Sequence, residues 1–356
     1  MTRTASHRSR SLAICLVVAI CAVAACGCES LEARSRIRKG NKAFRETRFK
    51  AALGQYELAM QKLDDPTLRY NLGLDESKVF KAGTDEPIVL GLADSPECKL
   101  TPKVTPLSKS VCLKEDDERF DECDAAHVCA SSFECKKVDL CQIAPKDVAD
   151  LVADSFGRWL TDHPDDAEIR ALMTQIWIDS SQYQKALDYW QSLLDKKPKD
   201  PDIMGNLAGI NLKAGDWRKS IEWYLKVAEA STESSAKIGA FQFIGNVGWA
   251  KLNSRTLAST DAIELADRSI GALGKAAALS PKNPKFPGLM ASIYNFRAMA
   301  QGASFAAAID RATAQELQHA SHVLSDEAKK AQGQVDPTTP TPTAPAVPAG
   351  SDKTGG

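Results

Sequence analysis

The chain is short of the residues that enzymes most often use for chemistry. It has five histidines in 356 residues, and aromatic side chains make up only 6% of it. It contains no G-x-S-x-G elbow, no glycine-rich phosphate loop and no C-x-x-C-H haem site, so the common signatures of acyl, phosphoryl and haem chemistry are missing. Acidic pairs such as Asp116-Asp117 and Asp165-Asp166 are neighbours in sequence, and neighbouring side chains point apart in a helix or a strand. His319 and His322 share a helical face at i, i+3, which reads as the solvated side of a terminal helix and not as a metal site. Charge of one sign is also lacking: 45 basic against 46 acidic residues give a net charge of −1, with no basic cluster of the kind nucleic acid requires. These absences point away from an enzyme, a bound cofactor, a metal centre and a nucleic-acid partner.

The first residues have the character of a leader. Arg3, Arg8 and Arg10 form a basic start, and Leu12 to Ala25 is an apolar stretch too short to span a bilayer comfortably. Val23-Ala24-Ala25 then puts small residues before Cys26, which resembles a bacterial lipobox. That resemblance implies cleavage after Ala25, acylation of Cys26 and durable anchoring by two or more acyl chains. Gly27 rather than Asp follows, which implies an outer-membrane destination. Ordinary signal-peptidase cleavage and secretion is the alternative.

Beyond the leader the chain is periodic. Phe156, Trp190 and Tyr224 stand 34 residues apart, as do Pro164 and Pro198, and Tyr183 and Trp217; Ala186 is matched by Ser220. A first unit carries Gly40, Ala43, Phe49, Ala52, Tyr56 and Ala59, with small residues where two antiparallel helices must cross and Tyr56 filling the space beside them. Asp65-Pro66, Asp200-Pro201 and Asn283-Pro284 read as helix starts, a capping side chain followed by a residue with no N–H to satisfy. Coincident registers of small, aromatic and proline positions resemble the tetratricopeptide repeat, which implies an all-α array of helical hairpins. A fifth unit is expected from about Phe241, with Thr256 to Asp261 looping out before its second helix, and a sixth from Pro284 to about Lys330.

One repeat is interrupted. Tyr70-Asn71-Leu72-Gly73 opens a second unit, yet its second helix, marked by Val152, Phe156 and Trp159, comes only after Pro145. The intervening stretch holds Cys98, Cys112, Cys123, Cys129, Cys135 and Cys141. The last four are spaced at six, a step that converges on one metal in neither a helix nor a strand. An even set of six in an oxidising compartment reads as three disulfides bracing a mini-domain too small for its own core, with fifteen connectivities open. Cys28 is left odd. After Gln334 a Pro/Thr-rich segment reads as a disordered polyproline spacer.

The expected organisation is therefore a lipoprotein leader (1–25), an anchor and tether (26–35), repeats (36–79), a cysteine-rich insert (80–145), further repeats (146–330) and a disordered tail (331–356). Asn71, Asn206 and Asn246 occupy one slot, two residues before Gly73, Ala208 and Gly248. In peptide-binding members of the resembled family an asparagine at this slot contacts ligand backbone or a carboxylate. The resemblance implies a non-enzymatic scaffold for envelope protein or complex assembly, anchored by lipid to the outer membrane and facing the periplasm, with envelope proteins as partners. The other expectation is that the disulfide insert recognises an extracellular or periplasmic partner and the repeats carry it.

Overall fold

A computed structural model describes residues 30–331, except 115 and 116. The leader, Cys26, Cys28, Asp116 and the Pro/Thr-rich tail lie outside the described residues. The chain divides into two compact units, one running to Asp188 and the other from Tyr189. The described residues form thirteen helices and one three-stranded sheet.

In the first unit, α1 (30–45) and α2 (Phe49–Met60) make a hairpin. Their crossing depends on Gly40: a Cβ there would stand 2.6 Å from Cε1 of Tyr56, whose ring is buried and whose hydroxyl donates to Asn41 Oδ1 at 2.8 Å. Helix α3 (Pro66–Val79) starts where Asp65 accepts from the Thr67 and Leu68 amides, with Pro66 in the first turn. Its partner is α5 (Pro145–Asp162), and the same packing recurs, because a Cβ on Gly73 would stand 2.6 Å from Cδ1 of the fully buried Phe156. Helix α6 (Ala167–Asp179), capped by Asp166 on the Ile169 amide at 3.1 Å, packs on α5. Helix α7 (Tyr183–Lys196) follows.

Between α3 and α5 the cysteine-rich stretch folds as β1 (Ile88–Leu92), the short α4 (Pro96–Leu100), β2 (Thr105–Leu113) and β3 (Glu134–Ile143). The sheet is antiparallel in the order β1-β3-β2, with Leu107 opposite Leu140 and Cys112 opposite Cys135. Ile88, Leu90, Val111, Leu140 and Ile143 of the three strands are buried, so apolar burial holds the sheet together with the disulfides. The alternation behind it is visible in β2, where Leu107, Lys109 and Val111 share the more buried face and Ser108 and Ser110 are exposed, and in β3, where Asp139 is exposed between Val138 and Leu140.

This insert supplies the cap that α2 lacks. The residue before α2, Arg48, makes no side-chain capping bond. Instead Glu118, in the loop after β2, accepts from the Lys50 amide at 3.0 Å and the Ala51 amide at 2.8 Å, so a carboxylate 67 residues away sits on the helix N-terminus. Lys50 returns a hydrogen bond from Nζ to the Glu118 carbonyl at 2.6 Å and lies 5.2 Å from the Phe120 ring centroid. Burial lowers the Lys50 pKa against the pull of Glu118. Gly54 of α2 lets α4 approach, since a Cβ there would stand 2.6 Å from Oε2 of Glu97.

The second unit stacks three hairpins: α8 (Pro201–Lys213) with α9 (Trp217–Ala230), α10 (Ser234–Asn253) with α11 (Ser259–Leu279), and α12 (Lys285–Ala300) with α13 (Phe305–Ala331). Asp200 and Asp216 cap α8 and α9. The late arrival of the fifth unit's second helix has a different cause from the one expected. Helices α10 and α11 run 20 and 21 residues against 13 and 14 in the preceding pair, and only 254–258 separate them. No proline interrupts 234–280, so the additional residues lengthen the hairpin and do not loop out. Asn283 also differs by one position: its Oδ1 accepts from the Lys285 amide at 3.0 Å, and Pro284 is the cap residue before the helix. Charged forks tie the hairpins. Arg218 of α9 holds Asp261 and Glu264 of α11 at 2.7 Å each, and Arg297 of α12 grips the buried Asp310 of α13 through Nε at 2.9 Å and Nη2 at 2.7 Å.

Replacing Glu118 by Ala should lower the unfolding free energy by ~1–2 kcal/mol, the scale of a lost N-cap, in urea titrations. A change under ~0.5 kcal/mol would show that sheet packing alone holds the start of α2.

Candidate interaction face

Helix α10 buries Ala240, Ile244, Gly245, Val247, Gly248 and Leu252. A Cβ on Gly245 would stand 2.5 Å from Cδ2 of Leu273, and one on Gly248 would collide with the buried Ser269. Two glycines on one face thus bring α11 against α10 along its whole middle turn. The opposite face is open. Phe243 is 54% exposed and Trp249 43% exposed, and Asn246 stands exposed one turn from each. The exposed residues of α10 are Ser234, Ser235, Ala236, Phe243, Asn246, Trp249, Ala250 and Asn253, and none is charged. Tyr224 of α9, one of the aromatics at the 34-residue period, is half-buried with its ring stacked on Phe243 at 5.2 Å and 8°. Burial raises its pKa.

The three asparagines fare differently. Asn246 is flanked by aromatics as above. Asn206 is exposed on α8 of the same unit, and its Nδ2 donates to the Asp202 carbonyl one turn back at 2.8 Å. Gly205 and Gly209 beside it have nothing within 4 Å of a Cβ position, so the helix backbone around Asn206 is bare. Asn71 belongs to the first unit, on α3, and is half-buried. Phe243 and Trp249 were not among the expected site residues. Their signal is the three-residue step Phe243, Asn246, Trp249, which on a helix keeps large apolar side chains next to a polar one and off the buried face.

In the insert the six cysteines pair as Cys98–Cys141, Cys112–Cys129 and Cys123–Cys135. The first ties α4 to β3, and the other two tie the chain between β2 and β3 back onto those strands. The sulfurs of Cys112, Cys123 and Cys129 lie within 4.8 Å of one another. Regular spacing at six would separate them, but Cys123 and Cys129 sit outside the strands, and the fold-back of that segment brings them together. All three are oxidised in disulfides, so none offers a thiolate ligand as it stands.

The most perturbed acids are structural in setting. Asp75 of α3 is 0% exposed with neither carboxylate oxygen hydrogen-bonded, and burial pushes its pKa up to about 9, with Glu118 adding to the rise. Glu76 beside it is raised well above the usual range by burial, against a hydrogen bond from Ser155, and burial takes Glu57 to about 7. Asp75 is therefore protonated when folded and ionised when unfolded at neutral pH. The folded state binds the extra proton between the ordinary carboxylate range and about 9, so stability falls as pH rises through that window. Thermal midpoints measured from pH 5 to 9 should decline, and Asp75→Asn should flatten the decline and raise the midpoint at pH 8. An unchanged slope in the variant would place the pH dependence elsewhere.

No family model matches the chain, and no curated protein matches it. Solved structures similar to it include the MamA RS-1 ArsTM double mutant, at 18% identity over 51% of this chain and 86% of that one, with a TM-score of 0.34. A crystal structure of MamA protein is similar at 15% identity, covering 54% of this chain and 89% of that one, TM-score 0.34. BtubC (BKLC) from P. vanneervenii is similar at 13% identity, covering 58% and 86%, TM-score 0.34.

Proposed function

We propose that this chain is a non-enzymatic scaffold of the bacterial envelope, held to the outer membrane by lipid on Cys26 and facing the periplasm, which captures an envelope protein on exposed faces of its helical hairpins. The observation that carries the reading is the uncharged aromatic and amide stripe of α10, where Phe243, Asn246 and Trp249 stay in solvent on the side opposite the buried Ile244, Gly245, Val247 and Gly248. A helix that only needed to be soluble would place charges there. Amide side chains between aromatics suit a polypeptide backbone: the rings cover its apolar groups and the amide donates to or accepts from its peptide groups. Asn206, on bare backbone, serves the same unit, and Asn71 has the corresponding role on α3. The exposed chain around Val128 in the insert, 85% exposed, favours a second contact there by the disulfide module.

Two measurements test this. Cys26→Ala should abolish labelling by a radioactive fatty acid and release the protein from the membrane fraction; unchanged partitioning would remove the anchor. Asn206→Ala with Asn246→Ala should reduce recovery of cross-linked envelope proteins at least fivefold while changing unfolding free energy by no more than ~0.5 kcal/mol. Normal capture with marked destabilisation would make these asparagines packing residues.

A further inference from the structure

We infer that the cysteine-rich insert has a second, metal-bound state: when a dithiol reductant opens Cys112–Cys129 and Cys123–Cys135, the four thiolates take one zinc ion. This state is independent of any partner on α10.

Backbone as well as disulfides places the four cysteines. Cys112 and Cys135 face each other across the β2–β3 ladder, which runs from Thr105 opposite Gln142 to Leu113 opposite Glu134. Cys123 is pinned beside β2: its amide donates to the Ser110 carbonyl at 3.0 Å, and the Cys112 amide donates to the Asp121 carbonyl at 2.8 Å. The turn that follows, in which Asp124 Oδ1 accepts from the Ala126 and His127 amides at 2.7 Å each, returns the chain to Cys129. The sulfurs of Cys112, Cys123 and Cys129 consequently lie within 4.8 Å of one another, and that of Cys135 is bonded to Cys123. Zn–S bonds of about 2.3 Å in a tetrahedron set ligand sulfurs about 3.8 Å apart, so the three close sulfurs contract by no more than about 1 Å. Cys135, once released, reaches the fourth corner from its place opposite Cys112. Four sulfurs with no oxygen ligand select zinc over calcium or magnesium.

Reduction has a point of entry. Cys135 is exposed and Cys123 is buried, so a reductant thiolate attacks the Cys135 sulfur and Cys123 leaves as a thiolate. The second thiol of the reductant then displaces Cys135, and the dithiol becomes a disulfide. The Cys123 thiolate is within 4.8 Å of both sulfurs of Cys112–Cys129. It attacks Cys129, frees Cys112, and leaves a Cys123–Cys129 bond for a second dithiol to reduce. Two dithiols thus give four thiols, and one zinc ion displaces four protons from them. Cys98–Cys141 stays closed, because its cysteines are only 8% and 4% exposed, and it keeps α4 on β3. The loop that brings Glu118 onto α2 runs between Cys112 and Cys123, so zinc holds both of its ends and preserves the cap on Lys50 and Ala51 after the disulfides open.

The test reduces the full-length chain with a phosphine in the absence of oxygen, removes the reductant and adds zinc or cobalt. One metal ion per chain should bind, with four protons released per zinc, and cobalt should give the thiolate charge-transfer and ligand-field bands of a tetrahedral four-sulfur site. Alkylation of the zinc-loaded protein, read by mass spectrometry, should leave Cys112, Cys123, Cys129 and Cys135 unlabelled and Cys98 still joined to Cys141. Cys135→Ser should weaken zinc binding at least tenfold and remove the four-sulfur cobalt spectrum. Should that variant fail to fold, the cobalt spectrum and protection map of the unsubstituted chain decide the matter. Failure to retain zinc, a cobalt site with fewer than four sulfurs, protection of other cysteines instead, or zinc affinity unmoved by Cys135→Ser would overturn the inference.

Discussion

The contact on which the rest depends is a missing side chain beneath a large one. Gly40 under Tyr56 and Gly73 under Phe156 bring two antiparallel helices close enough to share one apolar seam, and Gly245 under Leu273 does so in the second unit. Adding one carbon at such a position puts it well inside van der Waals distance of a buried ring or branched side chain. The helices would then have to part, with loss of contacts along the whole seam. In those hairpins the constraint fixes where a small residue and its covering side chain stand along the two helices, and in α8 the buried Ala208 takes the slot that Gly73 holds in α3.

The interrupted repeat shows how local the constraint is. Gly73 and Phe156 meet as Gly40 and Tyr56 do, although a sheet, a short helix and three disulfides lie between Gly73 and Phe156 in the chain. The entropy of closing a longer loop grows only slowly with its length, so an insertion is tolerated if its ends emerge close together. Here it also repays its position: Glu118 satisfies amides at the start of α2 that Arg48 leaves bare, and Glu97 packs against Gly54. The insert is joined to the hairpins by hydrogen bonds and packing as well as by the chain. The buried Asp75 lies in this same unit, and its pKa is raised by burial, with the Glu118 carboxylate of the insert adding to the rise.

The helical hairpins were legible because their signals are local and repeated. Asp65 and Asp200 before proline cap helices where expected, and Ala186 and Ser220, matched at one slot, are both buried. The long hairpin was legible only as a delay. Its cause, two unbroken helices, lies in the absence of a proline and not in any residue that marks a loop. The three-stranded sheet was overshadowed by the cysteines, although Leu107, Val111, Val138 and Leu140 alternate as a half-buried strand pair should. Disulfide connectivity was not readable at all, since it depends on where the chain between β2 and β3 folds back.

The exposed face was half legible, and the reason is physical. Asn246 could be found by its distance from Gly248, because packing fixes that register. Phe243 and Trp249 could not, because an aromatic residue in a helix is by default assigned to the core, and only the positions of Gly245 and Gly248 reveal which side the core is on. Once those glycines are placed, 243, 246 and 249 must turn outward, at about 100° per residue from the buried stripe. The residues that make α10 pack are thus the ones that oblige its aromatics to face solvent. A change on the glycine side would alter the exposed aromatic face without touching a residue in it.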